Sequence, residues 1–259
     1  MSSSKPLAFL PREFKGSRLR CLLLTHRSKV DMAKFFNSLV TPAAVVTNEI
    51  GWAPRGFLHP DEAKIGETSG FLTDDQRGDI TNWWLTKPGR ANTPNWDLVC
   101  KCMVGDRPGL ILVEAKAHEN EMKSRDDISA AKGENAASIA KALSQATAGW
   151  NAMMPGFNLM ANSHYQLSNR FAFAWKLATM KIPVILVYLG FLDADEMSGR
   201  KLRDHAQWRK CVVDRSKGVI PAEAWDRTFD IDGTPLTVLI RSAKVRIEAS
   251  LATTGETAP

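Results

Sequence analysis

Three residues with evident chemistry, Asp97, Glu114 and Lys116, lie in the stretch from Asn95 to His118, where a turn joins two strand-like runs. Side chains alternate between the two faces of a strand, so Glu114 and Lys116 share one face and Ala115 takes the other. Apolar residues fill that second face in both runs: Leu98, Cys100, Cys102, Val104, Ile111, Val113 and Ala117. The pattern predicts a hairpin with one buried face and one face that carries the acids and the lysine.

The register of this hairpin decides whether Asp97 joins the other two residues. If Val104 pairs with Gly109, Asp97 falls opposite Lys116 and beside Glu114. A turn one residue longer sends Asp97 to the apolar face, where an unpaired carboxylate would cost several kcal/mol. Burial therefore favours the register that brings the three residues together, although a β-bulge would alter it.

Such a cluster has a definite chemistry. Two converging carboxylates are hard oxygen ligands that suit Mg²⁺ or Mn²⁺. A lysine beside them could orient or deprotonate a metal-bound water, or neutralise charge on a phosphate. The arrangement indicates phosphodiester hydrolysis. The alternative is an edge hairpin with a solvated charged face and a cross-strand ion pair between Lys116 and Asp97.

At these residues the sequence resembles the PD-(D/E)xK phosphodiesterase superfamily, the restriction-endonuclease-like nucleases, whose signature is an Asp followed by (D/E)-x-K on the next strand. The resemblance implies an α/β fold with an αβββαβ core, in which helices flank a central mixed sheet. It also implies metal-dependent cleavage of nucleic acid, with Asp97 and Glu114 as Mg²⁺ or Mn²⁺ ligands and Lys116 as the catalytic lysine. The carbonyl of Ala115 is a further implied ligand.

The match departs from the superfamily pattern at one position, because Trp96 stands where a proline usually precedes the Asp; the nearest proline is Pro94. An acid-x-lysine tripeptide also occurs at three other places, Glu13-Lys15, Glu62-Lys64 and Glu121-Lys123. Only Glu114-Lys116 closes an apolar strand-like run that follows an Asp on a preceding strand.

Four further residues are candidates to complete the site. Superfamily members often take an extra acid from a helix before the hairpin, and some take a polar residue from the helix after it. The candidates here are Glu49, Glu62, Glu67 and Gln145. A solvated surface role is the alternative for each.

Hydrophobic periodicity predicts the elements around the hairpin. Helices are expected from Ser28 to Thr41, from Thr73 to Leu85, over 129–151, from His164 to Met180 and over 199–210, with strands over 184–192 and 235–247. Asn169 and Arg170, on the fourth helix, either contact a nucleic-acid strand or form a surface pair. The order hairpin, helix, strand over 95–192 agrees with the latter half of the superfamily core.

A chain of 259 residues with 44% hydrophobic content can bury one sizeable core. We expect a single nuclease-like domain over 1–259, with its core at about 73–192. A basic N-terminal extension over 1–60 and a C-terminal addition of helix and strand over 193–247 complete it.

The net charge of +6 is concentrated at the N-terminal end, because residues 1–60 hold nine Lys or Arg against three acids, and the remainder holds twenty-five of each. This asymmetry indicates contact with a polyanion, and we expect nucleic acid, DNA rather than RNA, as the partner. Arg12, Lys15, Arg18 and Arg20 are the basic residues expected to contact it.

The four cysteines form no disulfide framework, which indicates a reducing, cytoplasmic setting. Cys100 and Cys102 lack a second Cys or His pair at zinc-ligand spacing. No apolar run approaches the ~18 residues of a membrane span, and we expect no signal peptide because the N-terminal residues lack an apolar region followed by a cleavage site. We therefore expect no membrane partner, and a homodimer is compatible with the sequence.

Three functions remain open at this point. The first is an Mg²⁺-dependent nuclease, restriction-like or acting in defence or repair. The second is a protein on the same fold that binds nucleic acid or a partner without cutting. The third is an unrelated α/β domain in which the charged face is structural.

Overall fold

The computed structural model describes residues 15–49, 51–87, 92–124, 134–197 and 200–245. Its helices are α1 (Gly16–Thr25), α2 (Lys29–Val40), α3 (Asp74–Trp84), α4 (Glu119–Ser124), α5 (Glu134–Met153), α6 (Tyr165–Thr179) and α7 (His205–Ser216). Its strands are β1 (Trp52–Ala53), β2 (Ala63–Lys64), β3 (Asn95–Trp96), β4 (Leu98–Val104), β5 (Arg107–Lys116), β6 (Val184–Leu192), β7 (Arg227–Ile231) and β8 (Thr234–Lys244).

Six strands form one mixed sheet in the order β1-β4-β5-β6-β8-β7. The β4–β5 hairpin is antiparallel, β5, β6 and β8 run parallel, and β1 and β7 close the two edges as antiparallel strands. The expected α/β class, a central mixed sheet flanked by helices, is confirmed. No helix in the described ranges combines the length and the apolar character needed to cross a bilayer.

Local sequence signals explain where several helices begin. The side chain of Ser28 accepts the backbone N–H of Asp31 at the start of α2, and Thr73 forms a reciprocal capping box with Gln76 at the start of α3. Every residue of β6 is buried, as expected for a central parallel strand covered on both faces. The predicted elements at these positions are confirmed.

Helices cover both faces of the sheet. On one face, α1 and α2 pack against Cys100, Val113 and Ala115, as the apolar pattern of the hairpin predicts. On the other face, α3, α5, α6 and α7 pack against Leu112 and Tyr188. Glu114 and Lys116 belong to this second face, so they are buried, and the alternative of a solvated charged hairpin face is wrong.

The register of the hairpin differs from the predicted one. Val104 pairs with Arg107, not with Gly109, because Gly105 and Asp106 form a two-residue turn. Gly105 has a φ of 61°, the left-handed conformation that a type II′ hairpin turn requires at its first position. The shift is by two residues, so every side chain keeps its predicted face. Asp97 therefore stays on the face of Glu114.

A second, two-stranded sheet pairs β2 with β3, with Ala63 opposite Trp96. The chain leaves this small sheet after Trp96 and enters the main sheet at Leu98. Asp97 is the residue between the two sheets. One step beyond the β2–β3 pairing, Glu62 falls opposite Asp97, which gives the small sheet a role in building the site.

Candidate active site

The acids and the lysine lie at the carboxyl end of β5. Lys116 is the last residue of that strand, and the parallel pairing sets Glu114 beside Tyr188 and Lys116 beside Gly190 of β6. Binding sites of α/β sheets generally lie at the carboxyl ends of parallel strands. The structure brings all three predicted residues to this edge.

Asp97 is held by the backbone of β5. The pairing of β4 with β5 starts at Leu98 and Val113, so the N–H of Ala115 has no partner strand on that side. Oδ2 of Asp97 accepts this N–H at 2.7 Å, and the side chain is only 7% exposed. Burial, and then the neighbouring Glu114 carboxylate, raise the pKa of Asp97 to about 7. Asp97 is thus a desolvated acid, and no described cationic side chain donates a hydrogen bond to it.

Glu114 has the opposite electrostatic environment. It is 1% exposed, and it forms ion pairs with Lys116 through Oε1 and with Arg170 through Oε2. Burial acts to raise the pKa of Glu114, but Arg170 and Lys116 together lower it to about 2. Glu114 therefore stays ionised at neutral pH without a metal ion.

Lys116 is 3% exposed and contacts two side chains. Its ammonium donates to Glu114 and to Oε1 of Gln166, the latter at 3.2 Å. Gln166 lies on the first turn of α6, the helix that covers this end of β5. Lys116 is therefore fixed between Glu114 and helix α6.

Arg170 enters the site from the same helix. Its Nε donates to Oε2 of Glu114 at 2.7 Å, and its guanidinium stacks over the ring of Trp96 at 4.5 Å. Arg170 and Asn169 are 4% and 5% exposed. The interpretation of these two residues as a surface pair is wrong, because both are buried beside the acids.

Of the three additional acids, only Glu62 adjoins the pair. Its carboxylate accepts a hydrogen bond from the side-chain amide of Asn95 at 3.2 Å, and its charge contributes to the raised pKa of Asp97. Glu67 is exposed and pairs with Lys64, further along the rim. Glu49 is exposed in the segment before β1 and has no described contact with the acid pair.

Gln145 lies away from the site. It is exposed on α5, where its Oε1 accepts the indole N–H of Trp83 at 2.8 Å. The glutamine that contacts the lysine is Gln166, from the next helix. Gln166 and Arg170 are four residues apart, so they share one face of α6. The same helix also carries Ser168, Asn169 and Lys176, so its sequence alone does not mark Gln166 and Arg170 as site residues.

A cavity of about 420 Å³ lies beside the site. Its lining includes Glu62, Gln166 and Arg170, which adjoin the acids and the lysine, and also Arg18, Tyr165 and Asn169; Asp97, Glu114 and Lys116 are not part of the lining. An adjoining cavity of about 530 Å³ shares Arg18 and Glu62 and extends to Lys64 and Glu67. Burial raises the pKa of Tyr165 to about 12, so its phenol keeps its proton at neutral pH. The walls carry both signs of charge.

The basic N-terminal residues divide into different environments. Arg18 is exposed at the mouth of both cavities, and Lys15 is exposed just before α1. Arg20 is 2% exposed and pairs with Glu196, so it is not part of a binding surface. Arg12 lies outside the described residues.

Among the described residues, no group of three His, Cys, Asp or Glu side chains forms a metal site. The donor set nevertheless fits a hydrated Mg²⁺, which binds through one or two carboxylates and keeps several waters. Asp97 is a buried carboxylate without a cation bonded to it, and its Oδ1 accepts no hydrogen bond from described residues. In a strand the C=O of a residue points to the same side as its N–H, so the Ala115 carbonyl faces the side of Asp97.

Comparisons with known proteins give no family for this chain: no family model, no curated protein and no solved structure matches it.

Proposed function

We propose that this protein is a divalent-metal-dependent nuclease that hydrolyses phosphodiester bonds of nucleic acid, with DNA preferred over RNA. The observation that carries the proposal is the convergence of Asp97, Glu114 and Lys116 at the carboxyl end of β5, each at most 7% exposed, beside an open polar cavity. Glu62 adds a third acid at the rim. The cytoplasmic setting indicated by the cysteine content is part of this proposal.

The order of elements supports the proposal. Helix α2, strands β1, β4 and β5, helices α5 and α6 and strand β6 occur in the order of an αβββαβ core, with β2, α3, β3 and α4 inserted between them. Strand β6 then pairs in parallel with β5, next to the hairpin. This agreement concerns order and pairing, and the PD-(D/E)xK assignment itself remains a proposal.

Each side chain has a role in the proposed reaction. Asp97, Glu114 and the Ala115 carbonyl would hold Mg²⁺ or Mn²⁺, which when bound supplies a polarised phosphate and a more acidic water. Lys116 stabilises negative charge that develops on the phosphate, and Gln166 fixes the lysine for this task. Burial keeps bulk water away, which strengthens the charge–charge interactions.

One observation favours the alternative of a protein that binds nucleic acid or a partner without cutting. Both oxygens of Glu114 are neutralised by internal cations, Lys116 and Arg170. A metal ion would have to share Glu114 with them. The two functions therefore differ in whether a divalent ion binds beside these cations.

The test is cleavage of single- and double-stranded DNA and RNA by purified protein. The nuclease should cut at least one of these with Mg²⁺ or Mn²⁺ and none in EDTA, and Ca²⁺ should allow binding with little cutting because its oxygen shell is looser. Glu114→Gln should abolish cutting and weaken metal binding, and Glu67→Gln, an exposed acid at the rim, should do neither. Binding without cutting under every metal condition would favour the alternative.

A further inference from the structure

The guanidinium of Arg170 contacts both segments that carry the site acids. Its Nε donates to Glu114 on β5 at 2.7 Å, and its Nη2 donates to the backbone carbonyl of Asn95 at 2.5 Å. Its plane lies over the ring of Trp96. Asn95 and Trp96 immediately precede Asp97, so one side chain spans the distance between the two acid-bearing segments.

Arg170 is itself fixed in place. Its Nη1 donates to Oδ1 of the neighbouring Asn169 at 2.9 Å, and burial leaves it 4% exposed. A guanidinium presents its N–H donors in a rigid planar fork, whereas a lysine ammonium is a single point on a flexible stem. A lysine at this position would keep the charge but could not reach Glu114, Asn95 and Asn169 together.

We propose that Arg170 is the positioning residue of the acid pair: it fixes the carboxylate of Glu114 directly and that of Asp97 through the 95–97 segment. An effect of Arg170 on metal affinity rests on the proposed function. Its role in fixing the two carboxylates does not, because the N–H of Ala115 bonds to Asp97 and reports the position of that acid without any metal ion.

Hydrogen exchange of the Ala115 amide, measured by NMR in EDTA, tests whether Arg170 fixes the two carboxylates. In Arg170→Lys this amide should exchange about tenfold faster than in the wild type, the scale of losing one ordinary hydrogen bond. The amide of Ile111, in the paired part of the same strand, corrects for any general loss of stability. Unchanged protection of Ala115 relative to Ile111 would overturn the proposal.

Titration with Mn²⁺ tests whether the position of the two acids that Arg170 fixes affects metal binding. The half-saturating Mn²⁺ concentration should rise about tenfold in Arg170→Lys, because misplaced ligands lose affinity although the local charge is kept. A role in stability alone would leave the midpoint unchanged at a temperature where circular dichroism shows the variant fully folded, because only an unfolded fraction would raise the apparent Kd. A midpoint equal to or lower than that of the wild type therefore counts against positioning.

Arg241→Lys is the matched control. Arg241 lies on β8 and also bonds to a carboxylate, Asp226, and to backbone carbonyls of Leu39 and Ile240. Its replacement should change neither the Ala115 exchange ratio nor the Mn²⁺ midpoint. If Arg170→Lys does not fold, Asn169→Ala is the second variant; it removes the acceptor of Nη1 and also the hydrogen bond between Asn169 and Tyr165. It should raise the Ala115 exchange rate and the Mn²⁺ midpoint by a smaller factor, and no shift in this variant rejects positioning.

The proposed function and the positioning role of Arg170 are tested by different measurements. Wild-type protein that binds no Mn²⁺ and cuts no substrate would remove the proposed function. The exchange of the Ala115 amide would still decide whether Arg170 positions the two acids.

Discussion

Asp97 and Ala115 are joined by a hydrogen bond in which the backbone N–H of Ala115 donates to Oδ2 of Asp97 at 2.7 Å. The bond forms where the pairing of β4 with β5 stops, so the carboxylate of Asp97 takes the place of a strand partner for the Ala115 amide. The position of Asp97 is therefore set by the backbone of β5, the strand that also carries Glu114. Asp97 is held in the interior by this amide and not by an ion pair.

Replacement of Asp97 by Asn should stabilise the metal-free protein at high pH. The pKa of Asp97 rises on folding from 3.8 to about 7, so the folded state binds more protons and stability falls as pH rises through this window. Asn keeps an acceptor for the Ala115 amide and never ionises. Asp97→Asn should therefore melt several degrees above the wild type at pH 8 in EDTA, with a gap that shrinks toward pH 5.

Thermal unfolding followed by circular dichroism between pH 5 and pH 8 measures this effect. Glu114 does not obscure it, because its lowered pKa gives a stabilisation that is lost only as pH falls from its usual 4.5 toward about 2. Exposed Glu67→Gln should show no pH-dependent gap. A constant difference between Asp97→Asn and wild type over this range would contradict a raised pKa at Asp97.

The sequence was sufficient to predict the face on which the acids lie and the strong periodic elements. Alternation along Ile111 to Lys116 assigns each side chain to a face, and a register error of two residues leaves that assignment intact. The predicted register is wrong because it centres the turn on Asp106 and Arg107, whereas Gly105 and Asp106 form the turn, with the positive φ that Gly105 readily adopts.

Residues from remote segments cannot be singled out in this way, and the sequence offers Glu62 only as one of three candidate acids. Arg170 and Gln166 reach the site only because α6 packs over the end of β5, and Glu62 does so through the β2–β3 pairing. Each of these is a tertiary contact between segments that are distant in sequence. Local patterns leave a buried arginine and a surface arginine on a helix indistinguishable, so the sequence predicts for Arg170 either a nucleic-acid contact or a surface pair, and not the buried contact with Glu114.

Glu62 should matter for metal-dependent activity, whereas Glu67 should not. Glu62 lies opposite Asp97 across the extended β2–β3 pairing and lines the cavity at the site. Glu62→Gln removes one negative charge near the proposed metal site, so we expect the Mg²⁺ concentration for half-maximal cleavage to rise by about tenfold. Cleavage rates across an Mg²⁺ titration give this half-maximal concentration, with Glu67→Gln as the matched control on the rim. Equal midpoints for the two variants would exclude Glu62 from the metal site.

Lys116→Ala should separate binding from turnover. The change leaves both carboxylates and Arg170 in place, so metal and nucleic acid should still bind. Turnover should fall by about a hundredfold or more, the scale of losing one electrostatic or acid–base group. Lys101→Ala, an exposed lysine on the neighbouring strand, is the control and should keep wild-type turnover. Single-turnover cleavage measures turnover, and binding in Ca²⁺ measures the affinity for nucleic acid. A parallel loss of binding and turnover would assign Lys116 to substrate affinity.

Arg18 should contribute to the salt dependence of nucleic-acid binding, and Arg20 should not. Arg18 is exposed at the mouth of both cavities, whereas Arg20 is buried in its pair with Glu196. Each phosphate contact contributes about 0.9 to the slope of log K against log salt for duplex DNA. Arg18→Gln should therefore flatten the slope by about that amount. Arg227→Gln, a change of an exposed arginine on the far edge strand β7, should leave the slope unchanged. Fluorescence anisotropy with duplex DNA in Ca²⁺ at several salt concentrations measures the slopes, and identical slopes for the two variants would place the nucleic-acid path away from α1.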